Sequence, residues 1–321
     1  MDSPRATIKA VGVGGGGCNA INWTVNQRVQ GLETIAVNTD NQALLNAQAA
    51  IKIRIGDKVT RGLGCGGDPE VGRLAAEESH DELVSILEGT DIVFIAAGMG
   101  GGTGTGAAPV VAKIARELGA LTISIVTKPF VFEGTRRGKA AEAGVAILKS
   151  CSDTIITIPN DRLLGLTDKK MTMRMAFALA DDVLRAGIQG ISDTITLPGL
   201  INLDLADIRS VMANAGTAFM AIGRAAGDDR AANAARQAIR SPLLEVSLEG
   251  ARSILLNITG SDYTLFEVNE VADIIQKTAD PEADVVFGAV VDDAMKGEIQ
   301  VTLVATYVQD PTAGQEKKAT R

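Results

Sequence analysis

The stretch Asp91-Ile-Val-Phe-Ile-Ala-Ala-Gly-Met-Gly-Gly-Gly-Thr-Gly-Thr-Gly106 decides the fold. Asp91 to Ala96 reads as a buried strand, the glycine run from Gly98 to Gly106 turns the chain, and Thr103 to Leu118 carries a helical pattern. Strand, glycine turn and helix in that order let main-chain N–H groups at a helix start face an anion with no Cβ in the way. Upstream the arrangement recurs. Thr7 to Val13 reads as a strand running into Gly12-Val-Gly-Gly-Gly-Gly-Cys-Asn19, with a helix expected from Asn19 to Val29. Two anion loops on one sheet suit a polyphosphate. Neither loop contains G-x-x-x-x-G-K-[ST], so N–H groups, a helix dipole and the hydroxyls of Thr103 and Thr105 would hold the charge.

Further strands are expected at Thr34 to Val37, Ile51 to Ile55, Leu121 to Val126 and Thr154 to Ile158, alternating with helices at Pro69 to Leu87 and Gly138 to Lys149. The alternation predicts an α/β fold, a Rossmann-like doubly wound parallel sheet. A long helix is expected from Lys169 to Gly190, a spacer of about 20 residues and roughly 30 Å. A second α/β domain follows. It has helices at Ala206 to Ala213, Arg230 to Ile239 and Leu265 to Lys277, and strands at Phe219 to Arg224, Ser253 to Thr259, Asp284 to Val291 and Gln300 to Thr306. The expected division is a nucleotide-binding domain at 1–168, a central helix and following loop at 169–201, a C-terminal α/β domain at 202–308 and a disordered polar tail at 309–321.

The 321 residues exceed what one domain usually holds, and 46% apolar with 22% charged is the balance of a chain that folds. Aromatics are only 3%, so Val, Ile, Leu and Ala fill the core. A net charge of −8 with no long basic run argues against a nucleic-acid partner. Cys18, Cys65 and Cys151 are scattered, with His80 the sole histidine, so neither a disulfide framework nor a protein-held metal site is expected. The sequence starts without a signal-peptide pattern and has no apolar run of about 18 residues, so a soluble, cytoplasmic protein without direct membrane insertion is expected.

Gly12, Gly14 and Gly17 also satisfy the dinucleotide fingerprint, with Asp40 placed where a ribose-binding acid belongs. An NAD-dependent oxidoreductase therefore stands as an alternative on the residues alone. The heptapeptide Gly100 to Gly106, however, resembles the signature of the tubulin and FtsZ superfamily of polymerising GTPases. The resemblance extends through Thr39-Asp40, Thr60-Arg-Gly-Leu-Gly64, Pro129-Phe-Val-Phe-Glu-Gly134, Ile158-Pro-Asn-Asp-Arg-Leu163, Gly199-Leu-Ile-Asn-Leu-Asp204 and Phe287-Gly-Ala-Val-Val291. It covers Ile8 to Thr306 and is closer to bacterial or plastid FtsZ than to tubulin.

The resemblance implies a GTPase that assembles head to tail and forms the division ring, in the cytoplasm at the division site or in the plastid stroma. It places the phosphates on Gly14, Gly15, Gly16, Gly17, Cys18 and Asn19, and on Gly100, Gly101, Gly102, Thr103, Gly104, Thr105 and Gly106. Glu133 and Arg137 meet the ribose and phosphate region, Phe177 stacks on the base, Asp181 reads guanine and Asn160 adds a base contact. On the residues alone, Glu133 and Arg137 could also be a surface i,i+4 pair, and Asp204 with Asp207 reads first as a helix cap. The resemblance instead makes Asn202, Asp204 and Asp207 a catalytic group delivered to the neighbouring subunit's nucleotide. Mg2+ would be held mainly by phosphate oxygens and water. Implied partners are further copies of the chain and membrane-tethering and regulatory division proteins. Two departures stand out. Cys65-Gly-Gly-Asp68 occupies the phosphate-sensing turn where relatives more often show Ala-Gly-Ala-Asn, and Trp23 replaces a common Arg. The turn motivates a further alternative, a GTP-binding copolymer without turnover.

Overall fold

The computed structural model describes residues 6–26, 29, 31–166, 171–197, 199–244 and 247–307. The chain divides into two compact units, Met1–Ser192 and Asp193–Arg321.

In the first unit the strands are β1 (Ile8–Val13), β2 (Leu32–Asn38), β3 (Ile51–Arg54), β4 (Ile92–Gly98), β5 (Leu121–Lys128) and β6 (Thr154–Pro159). The helices are α1 (Gly14–Asn26), α2 (Asn41–Asn46), α3 (Asp57–Thr60), α4 (Pro69–Glu78), α5 (His80–Leu87), α6 (Gly102–Glu117), α7 (Thr135–Cys151), α8 (Asn160–Leu163) and α9 (Met173–Thr196), which runs across the boundary between the units. All strand pairs are parallel, in the order β3-β2-β1-β4-β5-β6. The chain moves from β1 outward to β3 and then returns to the other side of β1 as β4. Between the carboxyl ends of these two strands lies the switch point at which open α/β sheets bind ligands. Both glycine runs start there. Ile92 to Ala97 are fully buried, as a central parallel strand covered on both faces must be.

The second unit holds β7 (Gly199–Ile201), α10 (Leu205–Met212), β8 (Gly216–Ala226), α11 (Arg230–Ile239), β9 (Ser253–Gly260), α12 (Leu265–Thr278), β10 (Asp284–Val291) and β11 (Glu298–Thr306). Its sheet is mixed. β11 pairs antiparallel with both β8 and β9, β9 pairs parallel with β10, and β7 pairs antiparallel with β10. Helix α11 buries Ala231, Ala232, Ala234, Ala235 and Ala238. This small-residue face lets it approach the sheet so closely that a Cβ at Gly223 would lie 1.9 Å from Ala234 O.

Three expectations differ from the structure in instructive ways. Helix α1 starts at Gly14, inside the glycine run, because Gly14 alone takes a positive φ (72°) and the next three glycines are helical. The helix expected over Pro69 to Leu87 breaks at Ser79, whose Oγ accepts the Gly56 N–H at 3.1 Å and is thereby diverted from the helix. Helix α9 continues past Gly190 to Thr196, since burial of Ile188, Ile191 and Thr194 outweighs the roughly 1 kcal/mol that a helical glycine costs. Strand β7 was not expected. The start expected for α9 at Lys169 and the tail from Asp310 lie outside the described residues.

Candidate functional site

The two glycine runs meet backbone to backbone. A Cβ on Gly14 would lie 2.8 Å from Gly104 N, one on Gly104 would lie 2.5 Å from Gly98 O, and one on Gly17 would lie 2.2 Å from Ala96 O. Gly12 is equally constrained, since a Cβ there would lie 2.3 Å from Gly17 O. These glycines let α1, α6, β1 and β4 close on each other. Gly15 and Gly101 are different: a Cβ on either would meet nothing within 4 Å, so they border open space.

That space faces two helix starts. The first four N–H groups of a helix have no intrahelical acceptor, and in α1 these belong to Gly14, Gly15, Gly16 and Gly17. The N-cap of α6, Gly101, supplies no side-chain hydrogen bond, and neither helix carries an acidic residue in its first turn. Two positive dipole ends therefore converge with no anion from the protein to neutralise them. A cradle that a Cβ would fill, bordered by free N–H groups, fits a polyphosphate.

Side chains refine this picture. Cys18 is 3% exposed and its Sγ packs on Gly12 O and Val37 O, where burial pushes the thiol up to about 11, so it packs α1 on the sheet. Thr105 is buried and its Oγ1 accepts the Gly100 N–H at 2.8 Å, bracing the second loop from within. Thr103 is half-buried and bonds Thr39 Oγ1 at 2.7 Å. Glu133 accepts from Phe130 N at 2.9 Å and pairs with Arg137, which is mainly exposed. This is the i,i+4 pair the spacing suggested, and it positions both groups beside the loop Pro129 to Gly134.

A second cluster gathers three aromatic rings with Asp181 and Asn160. Phe177 meets Phe130 edge to face at 5.5 Å and Phe132 at 6.3 Å, while Phe130 and Phe132 stack at 4.9 Å. One turn further along α9, Asp181 is joined to the Asn19 side chain of α1; burial raises its carboxyl to about 7, and the Asn19 hydrogen bond opposes that rise. Asn160 is 4% exposed, and among the described residues its buried Oδ1 has no hydrogen-bond partner. An orphaned acceptor there costs about 1–3 kcal/mol unless a ligand donor reaches it.

In the second unit, Asn202 Oδ1 accepts the Gly199 N–H at 2.7 Å. Asp204 and Asp207 form a reciprocal capping box at the start of α10: Asp207 N donates to Asp204 Oδ1 at 2.9 Å and Asp204 N to Asp207 Oδ2 at 3.0 Å. Each acid uses one oxygen in the cap and keeps the other. Both remain at least partly exposed.

A cavity of about 370 Å³ between α4, α6 and α7 has a mainly apolar floor of Pro109, Val110, Ala140, Ala143 and Ile147, with charged residues such as Arg73 and Glu77 also in its lining. Among the described residues no cluster of three or more His, Cys, Asp or Glu is arranged to hold a metal ion, and no helix is long and apolar enough to cross a membrane.

Residues 7–168 match the GTPase domain of the Tubulin/FtsZ family, and residues 216–309 match the C-terminal domain of the FtsZ family. The chain belongs to the tubulin/FtsZ family. Among solved structures it is similar to an empty FtsZ dimer from M. jannaschii, at 43% identity over 96% of this chain and 90% of that one, with a TM-score of 0.93. A mutant of the same FtsZ gives 43% identity over 95% and 92%, with a TM-score of 0.92. CetZ2 from Haloferax volcanii, solved as a GTPγS-bound protofilament, shares the fold at 19% identity over 98% and 97%, with a TM-score of 0.81. Family membership makes the chain a guanine-nucleotide-binding GTPase of the cytoskeletal FtsZ type and sets aside the nicotinamide reading. Asp40, which motivated that reading, is the N-cap of α2, accepting from Gln42 N and Ala43 N.

Some contacts of the first-unit cluster carried no signal in the sequence. Phe130 and Phe132 lie in the recognisable stretch Pro129 to Gly134, yet nothing local pointed to their meeting Phe177, and the Asn19 partner of Asp181 is far from it in the chain. Thr39 was part of a recognisable dipeptide, yet nothing local pointed to its contact with Thr103.

Proposed function

We propose that this chain binds GTP across the two glycine loops, polymerises head to tail, and hydrolyses the nucleotide with a water oriented by the next subunit's acids. The observation that carries the reading is the convergence of two uncapped helix starts, α1 and α6, on one open space at the β1/β4 switch point. The N–H groups of Gly14 to Gly17 and of Gly101 to Thr103 would meet phosphate oxygens, with Thr103 donating its hydroxyl. Guanine would stack on Phe177, donate its N1–H and amino group to Asp181, and satisfy Asn160. Glu133 and Arg137 would flank the ribose and phosphates; the mainly exposed Arg137 side chain can turn to a ligand, while the Glu133 carboxylate is largely buried and held by the Phe130 N–H.

The first unit supplies cradles but no side chain in the glycine loops that can position a nucleophile. Phosphoryl transfer to water needs such a group. Asn202, Asp204 and Asp207 supply it. The oxygens that the capping box leaves over can accept from an attacking water, while the cap fixes their direction, so capping and catalysis coexist. Mg2+, held through phosphate oxygens and water, would spread the developing charge. The M. jannaschii FtsZ dimer and the CetZ2 protofilament support self-association of this chain. The same reading puts it in the cytoplasm at the division site, as the division ring, working with membrane-tethering and regulatory proteins, with residues 1–168 as the GTP-binding domain and 202–308 as the domain that presents the acids.

The test is sedimentation with GTP and with GDP alongside phosphate release. Filaments pelleting with GTP only, and release that vanishes below a threshold protein concentration, are expected. Phosphate release at the same specific rate from isolated monomers would overturn hydrolysis in trans, and filaments without release would leave a copolymer lacking turnover.

A further inference from the structure

Thr39, Cys65 and Thr103 come from three separate segments and close a ring of polar contacts. Thr39 Oγ1 lies 2.7 Å from Thr103 Oγ1 and 3.3 Å from Cys65 Sγ, and Cys65 Sγ lies 3.4 Å from Thr103 Oγ1. Thr39 is 0% exposed and Cys65 is 8% exposed, so Thr103, the second residue of α6, is the member that reaches the cradle. The turn carrying Cys65 is held in place. Gly64 N donates to Thr39 O at 3.3 Å, Asp68 N to Cys65 O at 3.0 Å, and a Cβ on Gly102 would lie 2.4 Å from Cys65 Cβ.

Each group has one hydrogen to give and lone pairs to accept. If Thr103 gives its hydrogen to Thr39, it presents only lone pairs to a phosphate and repels it. If Thr39 gives its hydrogen to Thr103, the Thr103 hydroxyl is free to donate outward, and Thr39 Oγ1 is left to accept from the Cys65 thiol. We propose that Cys65 is a positioning residue whose S–H, donated to Thr39, sets the direction of the relay Cys65 to Thr39 to Thr103, so that Thr103 donates to the nucleotide's β- or γ-phosphate. The inference rests on the reading that the glycine loops hold a polyphosphate. It gives the Cys65 departure in the turn a chemical role, because an alanine at that position has no hydrogen to donate.

The experiment is displacement of N-methylanthraniloyl-GDP from the full chain by GTP, GDP and GMP, with thermal melting as a check on folding. Cys65→Ala should bind GTP about five- to tenfold more weakly, the net worth of one ordinary hydrogen bond, with GMP affinity unchanged; GDP affinity falls with GTP if Thr103 meets the β-phosphate and stays unchanged if it meets the γ-phosphate. Cys65→Ser, which keeps a donor, should stay within about twofold of the wild type for all three. Thr39→Val removes, at nearly constant volume, the acceptor to which Thr103 could lose its hydrogen, so it should bind GTP within about twofold of the wild type, and adding Cys65→Ala on that background should cost nothing further. Three results would overturn the relay: GTP affinity unchanged in Cys65→Ala, GMP affinity falling in step with GTP, or Cys65→Ser as weak as Cys65→Ala. A wild-type chain that binds GTP no better than GMP would instead overturn the polyphosphate reading itself. Should Cys65→Ala fail to fold, Cys65→Val, which has no hydrogen to donate but fills the space, gives the same contrast with Cys65→Ser.

Discussion

The glycine cradle of the first unit and the acidic corner of the second, proposed above to bind phosphates and to orient water, are built from opposite materials. The cradle is main chain: its donors are peptide N–H groups, and its specificity in shape comes from places where a Cβ cannot fit. The corner is side chain: Asn202, Asp204 and Asp207 each make a local bond that explains their presence without any ligand. A site of the first kind announces itself through glycine, and a site of the second kind hides behind ordinary helix capping. Mutation should separate them just as cleanly.

The largest effect is expected from the corner. Asp207→Ala should lower phosphate release at least about 10²-fold, the usual worth of a positioned base, while GTP still binds and filaments still pellet; the lost cap should cost only about 1 kcal/mol in melting. Mixed with excess Asp181→Ala, which loads nucleotide poorly but has an intact corner, it should regain phosphate release above the sum of the two proteins alone. No recovery at any ratio would break the assignment of these acids to a neighbour's nucleotide.

Within the cradle, two kinds of glycine should behave differently. Gly104→Ala must displace backbone at Gly98 O and should destabilise the first unit by about 1–3 kcal/mol, read as a fall in melting temperature. Gly15→Ala meets nothing in the protein and should melt at or above the wild-type temperature, yet bind GTP about tenfold or more weakly because its methyl enters the anion space. Equal GTP affinity in Gly15→Ala and wild type would move the phosphates elsewhere.

Asp181 sharpens the comparison by pH. Guanine needs the ionised carboxylate, and burial holds that carboxyl at about 7, so GTP affinity should decline as pH drops through 7 while Asp181→Ala, already about 1–3 kcal/mol weaker for GTP, shows no such slope. The nucleotide-free protein should show the opposite sign. A folded value raised from 3.8 to about 7 means that the stability from this group is full below 3.8 and lost as pH rises through 7. Asp181→Asn should therefore melt above the wild type at pH 8, with the gap narrowing toward pH 4. The smallest effect belongs to Trp23, on α1 and 39% exposed, whose emission should shift by a few nanometres at most on GTP binding, reporting the helix and not the ligand directly. An unchanged spectrum in apo, GDP and GTP forms would show that α1 does not respond.

Legibility in the sequence followed the same division. The alternation of β-branched runs with helical patterns shows the parallel order of the first unit, since each crossover is local. The second sheet is different: β11 inserts between β8 and β9, so that Thr306 pairs with Ala218 far back in the chain, which no local pattern encodes, and three-residue β7 is too short to show a period. The break at Ser79 depends on a distant N–H at Gly56, so helix periodicity ran straight through it. Candidate residues that act by backbone, such as Gly14 and Gly101, could be located from spacing; the Thr39, Cys65 and Thr103 ring joins residues 26 to 64 positions apart and became visible only in three dimensions.

The contact of Gly14 with Gly104 has a consequence for motion. With no side chains between them, α1 and α6 have no soft layer that could let one helix start fray while the other stays closed. Their amide hydrogens should therefore exchange with solvent as one cooperative unit in the nucleotide-free protein, and a single bound anion should slow exchange in both helices together, including at positions it never touches.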